Sequence, residues 1–512
     1  VKAFPSGWTE PLRGGRSRAA ATLVLAAGLA PAAAPASAAD VRPNIVLFLA
    51  DDMGIGDTSA LQSFTGNADE RQIATPSIER LASRGVRFTD AHAPGANCHS
   101  TRFSLMRGGR PRTGDWQRDA EALERPLPAM LARGGYRAYG VGKWHLPYET
   151  GPDHRAATPI ARNALDYGFD HYTGVHDNVK NSSHYHADRS VMRWDAERRA
   201  LVPNDSPEPP GYGAPGGPHA SLSQQIWLDA ARGFLARHRA GGPDAGHPFF
   251  LYYASHANHG EFHPPEAIDG VALRCGTADG RTISADRDGL EAARARSVCE
   301  NDLALGLLLD WLDATDDPRR PGHALSENTL VVFTSDNGAN APPGAPAHGP
   351  LRGDKGSMEE GGHRVPFVAA WGSRLKGGAV SLQPISLNDL YATFAALAEV
   401  PLAEDEALDS FDLTQALLDP DRLVERPVFA VNMLHPTAVM LRLGPYKLVW
   451  DGRAGAGDEE GYTALYDLAA DLGERRNLLR EPGAEAVKRR MYQAMHEYLY
   501  HGGSRPGRTA ES

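Results

Sequence analysis

Asn44-Ile45-Val46-Leu47-Phe48-Leu49-Ala50-Asp51-Asp52-Met53-Gly54 is the stretch whose reading decides the fold. Seven residues run on without a charged residue and are rich in branched and aromatic side chains. Polar residues do not alternate with them, as they would on a strand with one wet face. The run therefore reads as a strand buried on both sides, ending in a polar turn. The same grammar recurs twice. Residues 248–254 (PFFLYYA) stop at Ser255-His256-Ala257-Asn258-His259, and residues 329–334 (TLVVFT) stop at Ser335-Asp336-Asn337-Gly338. Shorter strands are read at 86–89 and 136–141.

Helical patterns separate these strands. Residues 75–85 (TPSIERLASRG) read as a helix, with Thr75 as the cap, Pro76 at the first helical position and Gly85 as the stop. Further helices are read at 127–133, 221–240 and 291–313. Strand and helix alternate, so the expected fold class is α/β: a large, mostly parallel sheet sandwiched by helices. After about residue 400 the texture changes. Residues 446–450 (YKLVW) and 464–467 (ALYD) read as antiparallel strands, and 484–501 as a terminal helix. The expected organisation is a leader over 1–39, an α/β domain over 40–410 and a smaller C-terminal α+β domain over 411–512, its antiparallel sheet joined by the terminal helix.

The bulk numbers agree with a large globular chain. Its 512 residues are 41% hydrophobic and 23% charged, and its formal charge of −11 gives no support to a nucleic-acid partner. Arg13, Arg16 and Arg18 precede an apolar run over 19–30, and Ala36-Ser37-Ala38 follows. This is the three-part order of a secretory signal peptide. The apolar run is short and ends at Pro31, under the ~20 residues needed to span a bilayer. The expected destination is periplasmic or secreted, with no membrane contact once the signal is removed. Export permits a disulfide, and Cys275 and Cys299 are expected to pair, leaving Cys98 out.

In an open parallel sheet, functional groups gather beyond the carboxyl ends of the strands. Here Asp51, Asp52, Asp336 and Asn337 all lie there. Four oxygen donors without imidazole or thiolate suit a hard cation, Ca²⁺ or Mg²⁺, better than zinc. Cys98 sits in Asn97-Cys98-His99-Ser100-Thr101-Arg102, followed by Leu105-Met106-Arg107-Gly108-Gly109-Arg110. A lone cysteine is usually a small core residue, but His92, Pro94, Gly95 and His99 do not make an apolar setting.

On these residues the chain resembles the sulfatase family of the alkaline-phosphatase-like superfamily. That family carries a Cys-x-Pro/Ala-Ser-Arg signature with a Leu-Leu/Met-Thr-Gly-Arg-like tail. Ser100 departs from the usual Pro or Ala, and Thr101 from the usual Ser. The resemblance extends over nearly the whole chain after the leader: the opening strand through Asp51-Asp52-Met53-Gly54, Gly142-Lys143-Trp144-His145-Leu146, the strand leading to His259, Ser335-Asp336-Asn337-Gly338, Lys355-Gly356, the loop Glu360-Gly361-Gly362-His363-Arg364-Val365-Pro366, and Leu465-Tyr466-Asp467-Leu468 with Glu474 and Asn477.

The resemblance implies a mechanism. A formylglycine-generating enzyme oxidises Cys98, and the aldehyde hydrates to a geminal diol. Asp51, Asp52, Asp336, Asn337 and residue 98 hold Ca²⁺, with Mg²⁺ as second choice. One hydroxyl attacks sulfur and the other later expels sulfate, a step for which serine has no second hydroxyl. Arg102, Lys143 and Lys355 supply positive charge where negative charge develops. His145 accepts a proton and His259 donates one to the leaving alcohol. Lys143, His259, Lys355 and Asn178 are the expected substrate contacts, Asn178 lying in the polar stretch 175–189. The expected substrate is a sulfated small molecule or glycan. Two other readings share these residues: a phosphonate monoester or phosphodiester hydrolase of the same superfamily, and an unconverted Cys98 protein that only binds glycans. A zinc phosphatase would need histidine ligands beside the acids, which Asp336-Asn337 does not supply.

Overall fold

The computed structural model describes residues 41–110, 123–146, 164–175, 184–185, 191–195, 200–203, 219–260, 262–426, 428–432, 438–451 and 461–500. The signal-peptide segment and Asn178 lie outside them.

The opening run is strand β1 (Asn44–Ala50), buried along its whole length. It lies inside an eleven-stranded sheet. In chain order the other strands of that sheet are β2 (Gly85–Phe88), β3 (Arg137–Lys143), β4 (His171–Val175), β5 (His184–Tyr185), β6 (Val191–Asp195), β7 (Ala200–Pro203), β8 (Phe249–Ala254), β9 (Thr329–Ser335), β10 (Phe367–Trp371) and β11 (Ala379–Ser381). Their spatial order is β11-β2-β10-β9-β1-β8-β3-β4-β5-β6-β7. The five central strands, β9 through β4, are mutually parallel. The antiparallel pairings are those of β10 with both its neighbours and the β4–β5, β5–β6 and β6–β7 pairs.

Both faces are covered, which explains the unbroken hydrophobicity of the strands. Ile45, Leu47 and Leu49 pack with helices α2 (Cys98–Arg107), α3 (Leu127–Arg133) and α6 (Asp389–Leu397). Val46, Phe48 and Ala50 pack with α1 (Pro76–Ser83), α4 (Ser223–Ala236) and α5 (Ala285–Ala314). A second, four-stranded antiparallel sheet follows: β12 (Phe429–Asn432), β13 (Ala438–Leu443), β14 (Tyr446–Asp451) and β15 (Tyr462–Asp467). Helix α7 (Glu485–Tyr500) closes it through Met491, Met495 and Tyr498. The α/β sheet with a smaller antiparallel unit is the expected fold, and Cys275 and Cys299 are bonded as expected.

Local details differ. Thr75 does not cap α1 with its side chain, and Gly85 is already strand. The cap comes from Asp302, whose carboxylate accepts from Ser77 N and Ile78 N, 225 and 224 residues away in sequence. Thr75 Oγ1 is instead taken up by Thr58 and Ser59. Helix α5 starts six residues earlier than expected, across the non-helical Gly289.

Candidate active site at the carboxyl edge of the sheet

The register of the central strands brings the polar clusters level. Ala50 pairs with Ser335, Leu49 with Ala254, and Gly142 also with Ala254. Four adjacent parallel strands therefore end together. They release Asp336-Asn337 after β9, Asp51-Asp52 after β1, His256 to His259 after β8, and Lys143 to His145 at the end of β3. At Gly142 the backbone turns with φ +94°, and a Cβ there would lie 1.9 Å from Ala254 O. Only glycine fits this approach, and it sets the direction of Lys143.

Cys98 reaches the same edge from α2. Asn97 caps this helix, its side chain accepting from Ser100 N at 3.0 Å. Thr101 ties the preceding loop, its hydroxyl donating to Gly95 O at 2.9 Å and accepting from Gly95 N at 3.2 Å. Cys98 is buried, and burial pushes its thiol up from the ordinary value. One turn further, Arg102 is fully buried. Its guanidinium forks onto Asp336 Oδ2 through Nε at 3.0 Å and Nη2 at 2.8 Å. Its Nη1 donates to Lys143 O at 2.9 Å and to the Tyr252 hydroxyl at 3.3 Å.

The site is balanced in charge, three carboxylates against three cations. Lys143 Nζ lies 2.7 Å from Asp51 Oδ2, and Lys355 Nζ lies 2.6 Å from Asp52 Oδ1. Burial works against ionisation of Asp51, yet Lys143, His259, Arg102 and Lys355 together hold it well below the usual carboxylate range. Burial and the neighbouring Asp51 push Asp336 up to about 6. Burial opposes the charge on Lys143 and Lys355, but Asp51 and Asp52 respectively outweigh it and raise both ammonium groups.

Three oxygens break this balance. Asp51 Oδ1, Asp52 Oδ2 and Asn337 Oδ1 are buried and have no hydrogen-bond partner. Orphaned buried acceptors are costly unless something completes them, and an all-oxygen set is the ligand chemistry of a hard divalent cation. Asp51, Asp336 and the Cys98 sulfur present ligand atoms within 4.8 Å of one another, as do Asp51, Asp52 and His259. These residues fit a metal. A third group, His92, Glu360 and His363, is equally close, but Lys447 Nζ stands among them, 3.0 Å from Glu360 Oε1 and 3.3 Å from His363 Nε2. The ammonium already fills the place of a cation there.

All eleven sequence-derived site residues except Asn178 are described, and these ten converge here. Sequence reasoning did not single out Tyr252, Asn258 or His99. Asn258 donates through Nδ2 to Asp52 O at 2.9 Å. His99 Nδ1 bonds His145 O at 3.0 Å. Asn258 and His99 stand next to chosen residues, which was the available signal; Tyr252 lies inside a strand and carried none. Asp52, His145 and Asn258 all have left-handed backbones, with φ of 56°, 50° and 80°. Strain of this kind concentrates where surrounding structure over-determines a functional site.

A family model described as Sulfatase matches residues 43–400. The N-acetylgalactosamine-6-sulfatase of Sus scrofa is 32% identical over 450 residues, spanning 82% of this chain and 73% of that protein. Arylsulfatase A of Homo sapiens is 31% identical, spanning 89% of this chain and 86% of its own. A structure solved in work on glycosaminoglycan metabolism by Bacteroides thetaiotaomicron superimposes with a TM-score of 0.68 at 23% identity, covering 90% of this chain and 99% of that one.

Proposed function

The chain belongs to the sulfatase family of sulfuric ester hydrolases, and from that premise we propose that it is an exported enzyme that removes sulfate from carbohydrate esters, with N-acetylgalactosamine 6-sulfate as the first substrate to try. The observation that carries this reading is the convergence of three carboxylates and three cationic side chains on the buried Cys98. The substrate rests on the name of the porcine relative.

Residue 98, oxidised to formylglycine by its generating enzyme and hydrated, supplies one hydroxyl to attack sulfur and a second to expel sulfate. Asp51, Asp52, Asp336 and Asn337, with residue 98, would hold Ca²⁺, which would supply Lewis-acid polarisation when bound. Arg102 orients residue 98 from one helical turn away while its guanidinium fixes Asp336. Lys143 and Lys355 present ammonium groups to the sulfate, stabilising the charge that builds on its oxygens. His145 takes the proton of the second hydroxyl, and His259 gives one to the leaving alcohol oxygen. Asn178 contacts the substrate.

The test combines two measurements on protein from a host with the converting enzyme. One is the mass of the peptide containing residue 98. The other is sulfate release from N-acetylgalactosamine 6-sulfate and from an aryl sulfate, with and without chelator. Conversion to formylglycine with chelator-sensitive release from the sugar is expected. Faster cleavage of a phosphonate monoester than of any sulfate would move the chain to phosphorus chemistry. An unmodified, inactive protein would make it a glycan binder.

A further inference from the structure

The strand end that carries His145 is gripped from one side. Arg102 Nη1 donates to Lys143 O at 2.9 Å, and His99 Nδ1 bonds His145 O at 3.0 Å. His99 and Arg102 are three residues apart on α2, so they share a face of the helix. The carbonyls they hold are two residues apart. Between them Trp144 turns the other way, edge-on to Tyr167, Phe169 and Tyr172 in the core. A carbonyl can only accept, so Nδ1 of His99 carries the proton in this bond. The bond falls on the residue whose backbone is left-handed, with φ 50°. The two imidazoles meet edge-on at 5.4 Å. The sulfatase signature leaves the position after the cysteine unspecified, so a donor there belongs to this chain rather than to the signature.

We propose that His99 is a positioning residue that locks the left-handed turn at His145 and so aims the His145 imidazole at residue 98. The inference rests on the proposed role of His145. In the second half of the cycle the proton of the second hydroxyl passes to His145, the bond from the residue 98 carbon to the sulfate oxygen breaks, and aldehyde and free sulfate result. Loss of the lock should slow this half and spare the first.

Two variants test it. H99A removes the donor, and H99N replaces it with an amide N–H near the place of Nδ1. In unconverted Cys98 protein, where no chemistry runs, hydrogen exchange in the peptide spanning 143–146 should quicken on the order of tenfold in H99A. It should stay at the wild-type rate in H99N, and the peptide around Asp51 should not change in either. In converted protein, H99A should keep its burst of alcohol from an aryl sulfate. Its steady-state rate should fall on the order of 10- to 100-fold, the usual penalty for a displaced catalytic group, and H99N should recover most of it. Unchanged exchange at 143–146 in H99A overturns the lock. A burst that falls in step with the steady state overturns its link to the second half. A converted wild type without turnover overturns the proposed function itself, and the exchange comparison separates that failure from failure of the lock.

Discussion

His256 and His259 are three residues apart at the end of one strand, and their surroundings divide their roles. Ser223 Oγ gives its proton to Ala220 O, so it accepts from His256 Nε2 at 2.8 Å. Trp227 Nε1 donates to His256 Nδ1 at 3.3 Å. Both ring nitrogens are used, and burial pushes His256 down to about 3, so it stays neutral. His259 is only half-buried, with a ring nitrogen near the Asp51 and Asp52 carboxylates. H259A should therefore lower kcat by about 10²- to 10⁴-fold, the usual share of a general acid. H256A should chiefly cost stability, about 1–3 kcal/mol for the stranded Trp and Ser partners. Rates on an aryl sulfate together with thermal melts would check the pair. A kcat loss confined to H256A would reverse the assignment.

At the scale of elements, α2 does the most for the site, because it delivers Cys98, His99 and Arg102 together. Its first turn depends on the Asn97 cap, and the acceptor's partner is the backbone N–H of Ser100. Ser100 is where the family signature carries Pro or Ala, and proline has no N–H to give. Serine at 100 and asparagine at 97 thus form one device. N97A should destabilise the protein by about 0.5–2 kcal/mol in denaturant melts. S100A should keep the cap and S100P should lose it, so S100P should resemble N97A. Equal stability of S100A and S100P would show that the cap carries no weight. The sequence marked Cys98 through Arg102 by its signature, but not as a helix: its polar residues do not make an amphipathic stripe, since every residue from Cys98 to Met106 is buried, whatever its polarity.

At the scale of the molecule, buried ions join the two sheets. Arg442 of β13 meets Asp90, which also holds Arg364 and His92. Lys447 of β14 lies between Glu360 at 3.0 Å and Glu474 at 2.7 Å, and Glu360 N donates to Glu474 Oε2. The loop carrying Lys355 is anchored beside this pair, with Gly356 N on Ala96 O and Gly361 N on Arg352 O. Removing one partner of a buried ion pair costs about 3–5 kcal/mol. K447M should cost that much in stability and also raise KM for the sulfate ester through the Lys355 loop. A KM unchanged in a folded K447M protein would refute the second effect. Burial works against charge on Asp90, but Arg364 and Arg442 outweigh it and hold its carboxyl below the ordinary value. A carboxyl lowered on folding contributes stability above its unfolded pKa, about 3.9, and loses it as pH falls toward the folded value. D90N should therefore be less stable than wild type at neutral pH, with the gap narrowing only below about pH 4. A gap that narrows between pH 7 and 5 would point to another group.

By itself the sequence determined the parallel sheet, the acids at its strand ends, the Cys98 signature and the cystine, because each is written in a local run or a short spacing. Unbroken apolar strands must be covered on both faces, and polar clusters at their ends must meet if the strands are parallel neighbours. The tertiary structure alone decided that Ser223 and Trp227 take up both ring nitrogens of His256, that Asp302 rather than Thr75 caps α1, and that Lys447 stands among His92, Glu360 and His363. Each of these depends on burial and on partners in other elements, often hundreds of residues away. Burial fixes charge and hydrogen bonding, and it belongs to the packed chain rather than to any stretch of it.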